Sequence, residues 1–276
     1  MRAAAVQLNS QEDKQRNLEV AERLVRAAAR DGAELVCLPE KWNLLGGSEA
    51  LVGGAEPLDG PSLSAARVWA RDLRIHLVAG SIAERVEGHD RLFNTSVLIG
   101  PQGDDVATYR KIHMFDVEVG GVTYRESDHE EGGEEIVSAP LGELELGLSV
   151  CYDLRFPELY RILAVRGARI ITVPSAFTQA TGRDHWEVLL RARAIENQAF
   201  MVAADQFGEA PPHYNSYGRS AIVDPWGVVL AMAPDEECFV AADLDIEAQE
   251  RIREELPALA NRRPAAYQWP EEVEVG

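Results

Sequence analysis

Apolar residues come in two rhythms along this chain, and they alternate. Residues 3–8 form a short apolar run that turns polar at Gln7, which predicts a first strand. Leu18, Ala21, Leu24, Val25 and Ala28 then recur at helical spacing, with Asn9 or Ser10 expected to cap the helix and Gly32 to end it. Residues 34–38 read as a second buried strand, 62–73 as a helix and 75–83 as a strand. Residues 94–99 and 106–111 flank Pro101-Gln102-Gly103 as a hairpin. The second half repeats the rhythm, with strands at 143–150, 170–173, 201–205, 220–223, 228–232 and 239–244 and helices at 157–165 and 184–199. Mixed βαβ units and hairpins imply an α/β protein with helices packed outside one or two sheets. No Gly/Ser-rich linker and no fixed-period repeat interrupts the pattern, so residues 1–263 read as one domain. Residues 264–276 carry Pro264, Pro270 and three glutamates and are expected to form an extended acidic tail.

Composition narrows the function classes. The 276 residues suffice for a sizeable core without a metal or disulfide staple. Cys37, Cys151 and Cys238 are too scattered for a disulfide framework. No apolar run approaches the ~18 residues of a membrane span, and the N-terminal segment reads as a strand rather than a signal peptide. A soluble, cytoplasmic protein is expected. With 27 basic against 46 acidic residues the net charge is −19, so phosphate backbones would repel the chain and nucleic acid is not expected as a partner. Lysine occurs only at positions 14, 41 and 111; arginine supplies every other basic residue. Acidity spread along the whole chain suggests adaptation to high salt, where screening relieves self-repulsion.

Three positions carry candidate chemistry. Cys151 lies where the strand ending in Leu148-Ser149-Val150 meets the helix that opens at Pro157. That is the carboxyl end of a strand, where α/β proteins place their sites and where helix N-terminal amides can bind an oxyanion. A buried structural cysteine is the commoner fate of a free thiol, and Cys37 and Cys238, in or beside apolar strands, read that way. A cysteine nucleophile needs a base and an oxyanion partner. His113, His129, His185 and His213 sit in no Cys–His protease context and look like loop or capping residues. Glu40 follows a strand and Pro39, and Lys111 ends another strand. In a chain that otherwise uses arginine, lysine there suggests a need for a compact charge of tunable pKa. A solvated loop carboxylate and an ion-paired strand end are the plainer readings of these two residues.

Taken together, Leu38-Pro39-Glu40, Arg110-Lys111-Ile112-His113 and Val150-Cys151-Tyr152-Asp153 resemble the three motifs of the nitrilase superfamily of carbon–nitrogen hydrolases, in order and at similar spacing. The likeness runs from Ala3 to about Arg263. It implies an αββα sandwich of mixed sheets, with Glu40, Lys111 and Cys151 as catalytic triad and Glu126 as a second glutamate that helps position substrate and triad. Cys151-Tyr152-Asp153-Leu154-Arg155-Phe156 looks like the amidase branch that includes omega-amidase and deaminated-glutathione amidase. Residues 181–197 are closer to the latter. The resemblance implies hydrolysis of a carboxylate-bearing small-molecule amide through a thioester, with no metal or cofactor and with a homodimer or higher oligomer. Tyr152 would offer its backbone N–H to the oxyanion, Arg155 or Arg183 would meet the substrate carboxylate, and Phe177 and Thr178 would line the pocket. Trp186, Leu190, Arg193 and Asn197 form one helix stripe; the family's corresponding helix joins subunits, whereas spacing alone makes the stripe core-facing. An N-carbamoyl-amine hydrolase, a nitrilase or a non-catalytic scaffold are the alternatives. Lys41-Trp42-Asn43 departs from the family pattern.

Overall fold

Successive buried side chains of the strand Arg2–Gln7 enter two different cores in turn, and that alternation sorts the layers of the fold. The computed structural model describes residues 1–212 and 214–267. The first half runs β1 (Arg2–Gln7), α1 (Lys14–Arg30), β2 (Leu35–Cys37), α2 (Ser48–Gly54), α3 (Pro61–Leu73), β3 (His76–Val78), β4 (Ile82–Glu84), β5 (Phe93–Ile99), β6 (Asp105–Arg110), β7 (Asp116–Val119) and β8 (Val122–Arg125). The second runs β9 (Ser138–Leu141), β10 (Leu144–Leu148), α4 (Pro157–Val165), β11 (Ile170–Ser175), α5 (Gln179–Asn197), β12 (Phe200–Asp205), β13 (Phe207–Ala210), β14 (Tyr214–Tyr217), β15 (Ala221–Val223), β16 (Val229–Met232), β17 (Cys238–Asp243) and α6 (Ile246–Glu255). Ala3 and Ala5 join one core cluster with the second sheet, while Ala4 and Val6 join another with α1 and α3. Leu35 and Cys37 against Val36 and Leu38 repeat the division on β2, as the two-residue period of a strand requires.

The first sheet has the order β17-β1-β2-β3-β5-β4, with β6 on the free side of β5. Strands β1, β2 and β3 are parallel, and β17 returns antiparallel to β1, pairing Arg2 with Asp243. The second sheet has the order β16-β15-β12-β11-β10-β9, with β10, β11 and β12 parallel. Leu159, Tyr160 and Leu163 of α4 and Trp186, Leu190 and Ala194 of α5 pack against it. The layer order is therefore α-β-β-α, two mixed sheets back to back with helices outside. No helix among the described residues is long and apolar enough to cross a membrane.

Several local expectations give way. The α1 cap is Asp13, whose side chain accepts from Arg16 N–H. Asn9 and Ser10 instead tie distant loops together: Asn9 Nδ2 donates to Phe207 O and Glu209 O, and Ser10 Oγ to Trp42 O. The strand expected at 75–83 is broken into β3 and β4, which lie in sequence along one side of β5. The break centres on Gly80, at φ +47°, where a Cβ would fall 2.0 Å from Pro39 O. Helix α5 begins at Gln179, not Asp184, and runs through Gly182, where a Cβ would fall 2.4 Å from the Tyr217 side chain. The stripe Trp186, Leu190, Arg193 and Asn197 is buried within the chain. Beyond residue 263 the described chain makes a short 3₁₀ turn, Pro264–Ala266; residues 268–276 of the expected tail, like His213, lie outside the described residues.

Candidate active site

Cys151 reaches its position through a strained turn. After β10 the chain passes Ser149 and Val150, takes φ +46° at Cys151, and enters a 3₁₀ segment, Cys151–Arg155. A left-handed non-glycine residue is unfavourable unless its surroundings impose it. Here the buried Asp153 does so. Its Oδ2 accepts from Val150 N–H at 2.8 Å and from Tyr109 OH at 2.7 Å. Its Oδ1 accepts from His113 N–H at 3.2 Å and lies 2.7 Å from His113 Nδ1. The His113 ring in turn stacks on Phe156, centroids 3.5 Å apart. His113 thus braces the turn and is no ordinary loop histidine.

Glu40 sits just beyond β2, on a loop seated over the β3–β4 break. Ser81 N–H donates to Pro39 O, Lys41 N–H to Ser81 Oγ, and Trp42 Nε1 to Ala79 O. The Glu40 side chain is 5% exposed. Its Oε1 accepts from Asn94 Nδ2 at 2.7 Å and Lys111 Nζ at 3.2 Å, and its Oε2 from Ala176 N–H at 2.8 Å. Lys111 also donates to both oxygens of Glu126, at 2.8 and 2.7 Å, and Phe115 N–H reaches Glu126 Oε2 at 2.7 Å.

Burial and charge set the protonation states. Burial alone would drive Lys111 towards neutrality, yet Glu126, Glu40 and Cys151 hold its ammonium well above the ordinary lysine value. Burial pushes the Glu126 carboxyl up, but Lys111 and Lys41 more than offset it, leaving Glu126 below the usual carboxylate range. The Cys151 thiol is pushed well above its ordinary value by burial and Glu40, against the pull of Lys111 and the Ala176 N–H. A protonated thiol thus faces a hydrogen-bonded carboxylate and a charged ammonium.

These groups line one cavity of about 480 Å³. Tyr152, Phe177 and Thr178 line it as well; Phe177 also packs on Trp186, centroids 5.1 Å apart. Arg155 lies at the same wall, its guanidinium 5.2 Å from the Phe177 ring centroid and 3.2 Å from His185 Nδ1, with no acidic partner among the described residues. Arg183 does not share this position. It belongs to the first turns of α5, its side chain is 79% exposed, and it pairs loosely with Asp184. The earlier start of α5 moved it off the loop where the sequence had suggested it. The structure adds Arg125 to the lining and Asn94, Glu130 and Asp205 behind it, none of which the sequence singled out, and it brings into the lining His129, which the sequence had set aside as a loop residue, and Lys41. Burial holds the Asp205 carboxyl well above its ordinary value although Phe177 N–H donates to it. For Lys41 a signal did exist, since it is one of three lysines in the chain.

The fold is a two-sheet α/β sandwich with a buried, charged cavity, and comparison with known proteins identifies its family. The carbon-nitrogen hydrolase family model matches residues 2–254, and the chain belongs to that family. The deaminated glutathione amidase of Synechocystis is 39% identical over 264 residues, covering 94% of this chain and 97% of the relative. Human omega-amidase NIT2 is 37% identical over 267 residues, 96% of each chain. The crystal structure of the C. elegans NitFhit protein superposes with a TM-score of 0.88 at 36% identity, over 97% of this chain and 66% of that longer one. Within its family the chain is an amidase-type carbon–nitrogen hydrolase of the nitrilase superfamily.

Proposed function

We propose that the protein hydrolyses a small-molecule amide that carries a carboxylate, of the omega-amide or deaminated-glutathione type, to the acid and ammonia. The observation that carries this reading is the convergence of Glu40, Lys111 and Cys151 on one cavity, with Lys111 Nζ 3.2 Å from Glu40 Oε1. Glu40 takes the thiol proton as sulfur bonds to the amide carbon. The oxyanion forms against the Lys111 ammonium and the Tyr152 N–H, at the start of a 3₁₀ segment where amides lack partners within the segment. Collapse breaks the C–N bond while Glu40 returns the proton to nitrogen, releasing ammonia and leaving a thioester. Glu40 then deprotonates water, which attacks the thioester; the C–S bond breaks and the proton goes back to sulfur. Glu126 fixes the ammonium of Lys111. Arg155 is the partner for the substrate carboxylate, because it borders the cavity without an acidic neighbour to neutralise it. Val188 and Ile195, 65% and 49% exposed on the outer side of α5, supply an apolar face for a second copy of the chain.

Ammonia release in molar KCl tests the reading, with 2-oxoglutaramate, deaminated glutathione, aliphatic amides, a carbamoyl amino acid and a nitrile as substrates and Cys151→Ala alongside. Turnover of a carboxylated amide, abolished in the variant, is expected. Preferential release of ammonia from the nitrile or the carbamoyl compound would replace the amide assignment.

A further inference from the structure

Beneath the cavity the buried charges continue past Glu126. Lys41 Nζ lies 2.7 Å from Glu130 Oε1 and 3.7 Å from Glu126 Oε1. The Lys41 side chain is 9% exposed and that of Glu130 is fully buried. A chain of alternating charge therefore runs Glu130, Lys41, Glu126, Lys111, Glu40, and it ends at the carboxylate proposed as the base. Lys41 enters this chain from a backbone at φ +52°, a conformation unfavourable to lysine and held by its N–H bond to Ser81 Oγ. The next residue after Glu40 is thus turned inwards at a cost, and its ammonium is delivered to Glu126.

We infer that Lys41 and Glu130 are a second positioning couple for the reaction, in which Glu130 seats the Lys41 ammonium against Glu126 beneath Lys111 and the pair sets the net charge of the buried cluster behind the reaction site. The inference rests on the amidase reading for its consequence in turnover but not for its test. Charge balance is the physical reason. Three carboxyls, Glu40, Glu126 and Glu130, share two ammonium groups, Lys41 and Lys111. With all three ionised the buried cluster carries one uncompensated negative charge, and a protein interior disfavours that strongly. One proton restores neutrality. Glu130 is the group placed to hold it: burial pushes this carboxyl up to about 7, against the pull of Lys41 and with Glu126 adding to the rise. The other groups facing Glu130 are His129, whose Nε2 is 3.9 Å away and which burial and Lys41 keep neutral, and the more distant Lys111. When Glu130 ionises, the added negative charge is felt at Cys151 through Lys111, on whose ammonium Glu130 and Cys151 both act.

The test reads Cys151 directly. Alkylation of Cys151 by iodoacetamide, quantified by peptide mass mapping, is followed from pH 5.5 to 9 in the wild-type chain, Glu130→Gln, Lys41→Met and the double variant. Glu130→Gln keeps the shape of the side chain and removes the ionisation. Its Cys151 is expected to react roughly 3- to 10-fold faster than wild type at pH 8, with the two converging below pH 6, which corresponds to a thiol shift of half a unit to one unit. Lys41→Met leaves two carboxyls facing each other, so its Cys151 is expected to react more slowly than wild type and to recover in Lys41→Met/Glu130→Gln. Superimposable pH profiles for wild type and Glu130→Gln would overturn the inference, as would a double variant no faster than Lys41→Met. If the profiles shift as expected but no amide is turned over, the couple stands and the amidase reading falls.

Discussion

Glu126 and Glu130 are separated by one turn of chain, yet their carboxyls are displaced in opposite directions, and stability should record both signs. Glu126 is held below its ordinary value of 4.5, so the native state binds fewer protons there than the unfolded chain does. Its contribution is complete above that value and is lost as pH falls through the acid range. Glu130 is held up to about 7, so between 4.5 and 7 the native state binds the extra proton and stability declines as pH rises. Glu130→Gln should therefore gain on wild type across that window, by at most about 1.4 kcal/mol per pH unit, in urea melts at stepped pH. Glu126→Gln should be destabilised at neutral pH and flatter towards acid. Parallel curves for wild type and Glu130→Gln would show that Glu130 ionises normally. Glu40→Gln keeps the side-chain volume but offers one amide oxygen where Asn94 and the Ala176 N–H used two carboxylate oxygens, so it should lose a little stability and at least ~100-fold in kcat, read by thermal unfolding and ammonia release. Residues at this scale were legible where the chain broke its own habits. A lysine at a strand end and a cysteine at a strand–helix junction stood out locally. Glu130 did not, because its significance depends on a partner 89 positions earlier that only the fold brings near. Arg155 and Arg183 looked alike until the true start of α5 separated them.

Gly80 shows what an element boundary does for the site. The sequence suggests an unbroken strand across 75–83, since hydrophobic periodicity registers side chains and not a backbone that must pass against another backbone. The break lets the loop bearing Glu40 and Lys41 lie directly on residues 79–81. Gly80→Ala combines a left-handed φ with a Cβ 2.0 Å from Pro39 O, so a loss of more than ~2 kcal/mol is expected, with activity falling further than stability as Glu40 shifts. Thermal unfolding and kcat measured together check this; an unchanged kcat would mean that the loop is held independently of the break. A similar blind spot explains α5. Thr181-Gly182 looks like a helix breaker, but the missing side chain of Gly182 admits Tyr217 against the helix. Helix α6 was missed because it buries only Gln249, whose amide donates to Arg169 O and Gln198 O and carries no apolar stripe.

At the scale of the molecule, alternating apolar periods were enough for the α/β class, and the three motifs implied the four layers. Assembly and salt response are whole-chain properties. A net charge of −19 should make the thermal midpoint climb as KCl is raised from low to molar concentration, because screening weakens self-repulsion more in the folded chain than in the expanded one. A midpoint indifferent to salt would remove the halophilic reading. Ile195→Asp, which places a charge on the outer face of α5, should shift the mass seen by light scattering to that of one chain. The arginine-rich surface has one more consequence, for handling the protein. Lys41 and Lys111 are buried, and Lys14 is 30% exposed and held by Glu56 and the Gly54 carbonyl. An N-hydroxysuccinimide ester should therefore find little beyond the amino terminus and Lys14, so that biotin or a fluorophore attached through amines would leave the cavity untouched and the protein would resist lysine-based cross-linking.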